Sequence, residues 1–369
     1  MTQRTSPSLL RSLRGVVPQV IALLFGLLAG AVLIFAAGFN PITVYSSLVE
    51  GALGSQVGRS ETLSFMATFL LSGLAFLIPG KAGIWNVGAQ GQIYLGGSVA
   101  ALVAVFVPLP PIIWPLVALS AGILAGAVWA VIPGLLEAYR NASAIVTTIM
   151  MNYIGNSLAT FLLFYAIALG EPKLIQNNNT AYFKPGVLLP QMPYFTTSVM
   201  IMAAILVAFA FAYFFQRTTL GYNIRAAGAG PGPAGAKGIN VKRMKVVAMI
   251  IGGAVAGLAG VGDVIGAGHA CGVQACLQVN FASGWFGGEG FAGIAVALVA
   301  ASSPLGAVFS AFFFSVLVAG APLASAGGPQ LYMIWALQGI IIIFMAMPHL
   351  STLVIKAAKG LRARPGGSS

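Results

Sequence analysis

The chain has 369 residues, of which 59% are hydrophobic and only 7% are charged, and its formal net charge is +12. Soluble domains carry about 25% charged residues, so this chain has too little charge to cover a water-facing surface. Apolar stretches of about 20 residues recur along it, each long enough to cross about 30 Å of hydrocarbon. They do not alternate as the strands of a β-barrel do, which predicts an all-α polytopic membrane protein.

Ten hydrophobic segments predict about ten transmembrane helices. The first follows Arg4, Arg11 and Arg14 and ends without a cleavage site, so we interpret it as a retained helix and not a signal peptide. The third follows a break around IPGKAGIWN, and the eighth is short and Gly-rich, which favours a tilted or re-entrant helix. In chain order the segments are 17–38, 62–79, 87–107, 112–136, 143–168, 196–215, 244–266, 290–302, 304–321 and 331–347.

The basic residues predict the orientation, because cytoplasmic loops of membrane proteins carry an excess of Lys and Arg. With the N-terminus in the cytoplasm, fifteen of the eighteen Lys and Arg residues fall inside, and Arg59, Lys173 and Lys184 fall outside. Both termini are therefore predicted to be cytoplasmic, and the positive charge requires no nucleic acid as partner. The predicted organisation is a cytoplasmic segment 1–16, a transmembrane domain 17–350 with an outer loop 169–195 and a cytoplasmic loop 216–245, and a basic cytoplasmic tail 351–369.

No motif in the sequence indicates an enzyme. The text closest to a phosphate-binding loop is GPGPAGAKG, but Ala236 separates Gly235 from Lys237, and the loop needs that pair together. The motif CGVQAC, with Cys271 and Cys276, has no known metal or redox spacing, and a disulfide between the two cysteines is left open. We therefore predict no catalytic residue, no metal site and no cofactor in this chain.

The carboxylates are few: only six Asp and Glu residues occur. Carriers driven by an ion gradient commonly place ionisable residues deep in the bilayer. Here most carboxylates fall at segment ends or in loops, and Asp263 is the one candidate for depth. This distribution argues against an ion-driven carrier.

Four motifs occur in order within residues 60–350: IWNVGAQGQIYLGG (84–97), SAIVTTIMMNYI (143–154), RAAGAGPGPAGAKGINVKR (225–243) and GIAVALVAASSPLG (293–306). Together they resemble the signatures of inner-membrane permeases of ABC importers, of the nucleoside and simple-sugar type related to ribose and branched-chain amino-acid permeases. Gln90 and Ala144 stand where that family has glutamate. If those carboxylates recognise substrate or pair with a basic residue, the substrate preference or subunit pairing of this protein is atypical.

The resemblance implies that loop 216–245 is the element that couples the membrane subunit to a separate ATPase. Pro231 predicts the start of a helix of one or two turns, and Gly228 and Gly238 are predicted to break the chain at its two ends. The alternative is a flexible basic loop held near anionic lipid. The predicted coupling residues are Arg225, Ala226, Gly228, Pro231, Ala234 and Gly238.

Polar side chains within or beside the spans are candidates to line a transport path, since a buried amide turns toward other helices or a cavity. The alternative for each is a hydrogen bond between helices that holds the bundle together. The candidates are Asn86, Gln90, Gln92, Asn152, Asn156 and Glu289.

The resemblance therefore implies the membrane-spanning permease subunit of an ATP-driven importer for a small polar solute, with nucleosides favoured. It implies a bacterial inner-membrane location, a partner ATPase that binds ATP and Mg²⁺, a second permease chain and an extracytoplasmic substrate-binding protein. The alternatives are a simple-sugar importer permease, a stand-alone secondary carrier or facilitator, and a membrane scaffold without a path.

Overall fold

The computed structural model describes residues 8–170, 188–192, 198–266, 288–300, 303–326 and 331–346. Within these residues the chain is helical, and one isolated β-bridge joins Gln191 to Ser198. The tail 351–369, Cys271, Cys276 and most of the outer loop 169–195 lie outside the described residues.

Each of the ten predicted hydrophobic segments contains a helix. In chain order the helices of the described residues are α1 (Ser8–Ala36), α2 (Pro41–Leu53), α3 (Gln56–Lys81), α4 (Ala89–Phe106), α5 (Trp114–Arg140), α6 (Ala144–Gly170), α7 (Met200–Arg217), α8 (Thr219–Ala229), α9 (Pro231–Ala236), α10 (Val241–Ile265), α11 (Glu289–Val299), α12 (Pro304–Ala319), α13 (Ala321–Ala326) and α14 (Leu331–Ala346). Among the described residues, seven helical stretches are long and apolar enough to cross a membrane when α12 and α13 are counted as one, or eight if α1 and α2, bent by 115°, form one span. The all-helical, multi-pass fold is thus confirmed, while the count of ten spans and the orientation stay predictions.

Two breaks in the helical pattern shape the bundle. The predicted break at IPGKAGIWN is confirmed: α3 ends at Lys81, Gly83 adopts φ +80°, and α4 begins at Ala89. Helix α11 has only 11 residues, which at 1.5 Å per residue is about 16 Å. That is about half of the hydrocarbon thickness. The tilted or re-entrant course of the eighth segment stays a prediction.

The described helices form two compact units, and the first takes both ends of the chain, Met1–Gly51 and Gly320–Ser369. In its described part, α1 packs on α14. A Cβ atom at Gly26 would lie 3.0 Å from the Cα of Ile341, so the two backbones approach closely at that point. The Tyr45 hydroxyl of α2 donates a 2.7 Å hydrogen bond to the Leu27 carbonyl of α1, which fixes α2 against α1.

The second unit is Ala52–Ala319, and α10 lies at its centre, packed on α3, α4 and α5. Gly253 and Gly257 of α10 face Gly122 and Gly126 of α5. A Cβ atom at Gly257 would collide with the Gly122 carbonyl, and one at Gly126 with the Gly253 carbonyl. Small residues four apart let membrane helices approach closely. These glycines therefore bring α10 into the middle of the unit that holds the candidate site residues.

Candidate functional site

The predicted coupling loop folds into two short helices before α10. Thr218 caps α8 by accepting a 3.0 Å hydrogen bond from the Gly221 N–H. Gly230 has an extended backbone and precedes α9, which begins at Pro231, a position that proline favours because its missing N–H would have no partner in the helix. The predicted helix of one or two turns starting near Pro231 is therefore confirmed, and α9 has six residues.

The prediction for the two ends of this helix is half right. Gly238 lies just beyond α9 with φ +82°, a conformation that glycine adopts without cost. The prediction that Gly228 breaks the chain is wrong, because Gly228 lies inside α8. A Cβ atom there would collide with the Lys81 carbonyl at the end of α3. Gly228 therefore lets α8 pack on the turn between α3 and α4.

The surface of α9 is almost entirely exposed. Of its six residues only Ala234 is buried. The Ala234 carbonyl accepts a 3.1 Å hydrogen bond from the Ile239 N–H, which turns the chain back toward α10. Around Gly235 no atom lies within 4 Å of the place where a Cβ atom would stand. Helix α9 thus presents a small-residue surface, while Arg225 and Ala226 lie on the preceding α8.

Charged contacts fix the start of α10 beside this surface. Lys245 Nζ lies 3.0 Å from Glu137 Oε1 near the end of α5, in a salt bridge with both side chains mostly buried. Glu137 Oε2 also accepts a 3.0 Å hydrogen bond from the Ala144 N–H, the first residue of α6. The ammonium of Lys242 lies 5.5 Å from the centre of the Tyr139 ring. Glu137 therefore joins the ends of three helices next to the predicted coupling loop.

Three of the predicted path residues form one buried network around the start of α4. Asn86 donates hydrogen bonds of 3.1 Å to Gln92 Oε1 and to the Ala75 carbonyl. Asn152 of α6 accepts a 2.8 Å bond from the Gly91 N–H and donates a 2.9 Å bond to the Val87 carbonyl. These contacts hold the non-helical turn before α4. Whether the same amides also face a path stays a prediction.

Gln90 and Glu289, both predicted path residues, come together where α11 meets α4. Gln90 Oε1 accepts a 2.6 Å hydrogen bond from the Gly290 N–H, and the Ser72 hydroxyl of α3 donates a 2.9 Å bond to the Glu289 carbonyl. Gln90 and Glu289 are 3% and 5% exposed. The Tyr94 side chain, one turn further along α4, interacts electrostatically with the Glu289 carboxyl. A carboxyl, an amide and a phenol thus cluster at the N-terminus of the short helix α11.

Asn156 and Ala144 lie apart from that cluster. The Asn156 side-chain oxygen is buried and has no hydrogen-bond partner among the described residues. Ala144 packs with Ile84 and Met249 in an apolar cluster. A glutamate at position 144, as in the family pattern, would place its carboxylate among those side chains.

Several of these contacts were not predicted from the sequence. Ser72 and Tyr94 carry no pattern that distinguishes them from other polar residues in apolar segments. Glu137 and Lys245 carry opposite charges at the ends of two predicted segments. This was the one feature of the sequence from which their salt bridge could have been predicted. Among the described residues no three His, Cys, Asp or Glu side chains group together as ligands of a metal ion would.

Comparison with known proteins decides the family of this chain. The family model described as "Branched-chain amino acid transport system / permease component" matches residues 58–346. The chain belongs to this family. The match takes in most of α3 and all of α4 to α14, and hence the predicted coupling helix α9 and the cluster of Gln90 and Glu289 in this permease.

Three curated relatives match the permease over most of its length. A nucleoside ABC transporter permease protein of Lactococcus lactis is 33% identical over 361 residues, which cover 95% of this chain and 96% of the relative. A guanosine ABC transporter permease protein of Bacillus subtilis is 29% identical over 92% of this chain and 95% of its own length. A glucose ABC transporter permease protein of Haloferax volcanii is 29% identical, over 88% and 86%. No solved structure matches the chain significantly.

Proposed function

We propose that this permease is the membrane-spanning subunit of an ABC importer and that it moves nucleosides. The family match and two relatives named for nucleosides or guanosine support this function. The subunit supplies the path and does no covalent chemistry, since ATP and Mg²⁺ bind to a separate ATPase subunit. In this proposal the protein lies in the bacterial inner membrane with ten spans and with both termini in the cytoplasm.

The observation that carries the coupling role is the exposed surface of α9. An ATPase subunit needs a rigid, accessible contact through which to move the membrane helices. Helix α9 exposes Pro231, Gly232 and Pro233. The helices before and after it, α8 and α10, contact other helices of the second unit. Helix α8 packs on the α3–α4 turn through Gly228, and α10 is held to α5 by Lys245 and Glu137. A push on α9 would therefore reach α3, α4 and α5.

A substitution at Gly235 tests this coupling surface. Gly235 is exposed and has open space around it, so Gly235→Glu alters the surface without a clash inside the permease. We expect the variant to fold, to lose co-purification with the ATPase and to lose ATP-driven uptake. Gly235→Ala is the matched control and should keep both. Normal ATPase association and normal uptake by the Glu variant would remove α9 from the coupling role.

The proposed path runs past the cluster of Gln90 and Glu289. Ionisable residues within membrane segments commonly mark substrate pathways, because their burial is otherwise costly. Half-membrane helices often end at substrate sites in transporters, and the first turn of the short helix α11 carries Glu289. The amides of Asn86, Gln92, Asn152 and Asn156 are proposed to support or line this path.

The proposed partners are the ATPase, an extracytoplasmic substrate-binding protein and a second permease chain. Membrane lipid surrounds the assembly. Co-expression of a tagged copy with an untagged copy and with a related permease chain tests the pairing. Recovery of the related chain, without the untagged copy, supports a heterodimer, whereas recovery of the untagged copy alone indicates a homodimer.

A simple-sugar importer is the second candidate function, and the glucose-transporter relative favours it. Nucleosides and sugars share hydroxyl groups, so the polar cluster around Gln90 does not separate them. Uptake of a labelled nucleoside by the complete transporter, with unlabelled nucleosides and sugars as competitors, decides between them. Uptake of labelled glucose by the same complex, without any uptake of labelled nucleosides, would replace the nucleoside proposal.

A further inference from the structure

A small cavity lies in the second unit, lined by residues other than those of α9 and of the cluster of Gln90 and Glu289. Its volume is about 10 Å³, which is room for about one water molecule or one small ion. The polar lining consists of Ser64 and Thr68 of α3, Asp263 of α10, and Ser198 just before α7. Ala67, Met200, Gly262 and Gly266 complete the wall.

The oxygen atoms of this lining are held in place by secondary structure. Ser64 and Thr68 lie four residues apart and therefore on one face of α3. The Thr68 hydroxyl donates a hydrogen bond to Asp263 Oδ1, and Ser198 Oγ accepts a 3.2 Å bond from the Met200 N–H. Thr68, Ser198 and Asp263 are each at most 4% exposed. Three hydroxyls and one carboxyl thus surround a space of atomic size.

The position of Asp263 makes a positive charge favourable in that space. Asp263 lies in the last turn of α10, which has no basic residue in that turn. The C-terminus of a helix carries a partial negative charge. The carboxylate and the helix end therefore both contribute negative electrostatic potential to the cavity. In transporters, the C-terminal ends of helices within the membrane are used to coordinate Na⁺.

We propose that this cavity binds one Na⁺ ion through Asp263, Thr68, Ser64 and Ser198. Hard cations prefer oxygen ligands, and the lining offers a carboxylate and hydroxyls without sulfur or imidazole ligands. The site joins α3 to α10 and to the start of α7. Bound Na⁺ stabilises this arrangement of the three helices and supplies no energy for transport.

Equilibrium binding of radioactive Na⁺ to the purified permease complex tests the proposal. We expect about one ion per permease chain, displaced by unlabelled NaCl and unaffected by choline chloride. The midpoint of thermal unfolding should be higher in NaCl than in choline chloride at equal ionic strength, since a ligand of the folded state stabilises it. Asp263→Asn should abolish both effects.

Two threonines of α3 provide a matched pair of variants. Thr68→Val removes a ligand and should weaken Na⁺ binding about tenfold, the effect of losing one hydrogen bond to a charged group. Thr62→Val alters an equally buried threonine outside the cavity, whose hydroxyl bonds to the Ala52 and Gly58 carbonyls, and should leave Na⁺ affinity unchanged.

Four results would overturn the site. The first two are no Na⁺ binding above background by the wild type, and binding by Asp263→Asn equal to that of the wild type. The other two are equal Na⁺ affinities of the two valine variants, and a midpoint of thermal unfolding that changes with pH but not with Na⁺. The last would show that Asp263 holds a proton there. If Asp263→Asn does not fold, the wild type and the two valine variants decide the question.

Discussion

Gln90 accepts a 2.6 Å hydrogen bond from the backbone N–H of Gly290, 200 residues further along the chain. The contact lies where α11 begins, and a Cβ atom at Gly290 would collide with the Gln90 backbone. The first N–H groups of a helix have no partner within it, so the Gln90 side chain satisfies one of them. This bond ties the half-length helix α11 to α4 at the proposed path.

Removal of that acceptor should destabilise the permease. Gln90→Leu leaves the buried Gly290 N–H without its partner, at a cost of about 1–3 kcal/mol. We expect a lower midpoint of thermal unfolding for the purified permease. Gln56→Leu, near the start of α3, alters a side chain outside this contact and is the control. Equal midpoints for Gln90→Leu and the wild type would show that the bond contributes little.

A charge at the same position separates stability from substrate preference. Gln90→Glu keeps an acceptor oxygen for Gly290 but adds a second carboxyl beside Glu289, and like charges disfavour each other in a buried site. We expect the variant to fold and its uptake of nucleosides to change, measured as competition by a panel of nucleosides and sugars. Unchanged uptake and unchanged complex stability would count against a role for the neutral Gln90 in substrate preference.

Glutamate at position 144 should be unfavourable in this chain, although the family pattern has it there. Ala144→Glu would place a carboxylate beside Ile84 and Met249, and an unpaired buried charge is costly. We expect a lower yield of folded protein and a lower unfolding midpoint. Ser143→Glu, at the neighbouring exposed position, should be tolerated. If Ala144→Glu folds as well as Ser143→Glu, the apolar cluster does not exclude the charge.

Two amides on α6 should respond differently to the same substitution. Asn152→Leu leaves the Gly91 N–H and the Val87 carbonyl without their partner, so we expect a clear loss of stability. Asn156 makes no hydrogen bond through its side-chain oxygen among the described residues, so Asn156→Leu should keep stability and lower uptake. Thermal unfolding and uptake of a labelled nucleoside measure the two effects. A stable Asn152→Leu or an Asn156→Leu with full uptake would contradict the assignment.

Much of the fold followed from continuous apolar runs, because a helix is the structure that satisfies its own backbone in lipid. Helix α2 was not predicted. It has only 13 residues and contains Thr43, Ser46, Ser47 and Glu50, which lower its apolar character. Helix α8 was also not predicted, because Gly228 was interpreted as a break in the chain. The structure shows instead that a glycine is needed there for α8 to pack closely on Lys81.

The meeting of Gln90 with Gly290 could not be predicted from the sequence. Helical periodicity places side chains on faces of one helix, but it carries no information on which face meets a helix 200 residues away. Gln90 and Glu289 were singled out as polar residues within or beside apolar segments, and only the packing of α11 on α3 and α4 shows that they lie together.

Uptake by reconstituted vesicles tests the central claim most directly. Vesicles that contain the permease, its partner permease chain, the ATPase and the binding protein should accumulate a labelled nucleoside when ATP is supplied. Vesicles without the ATPase should at most equilibrate it, with or without an ion gradient. Accumulation of the nucleoside against its gradient by the permease without the ATPase would contradict the account.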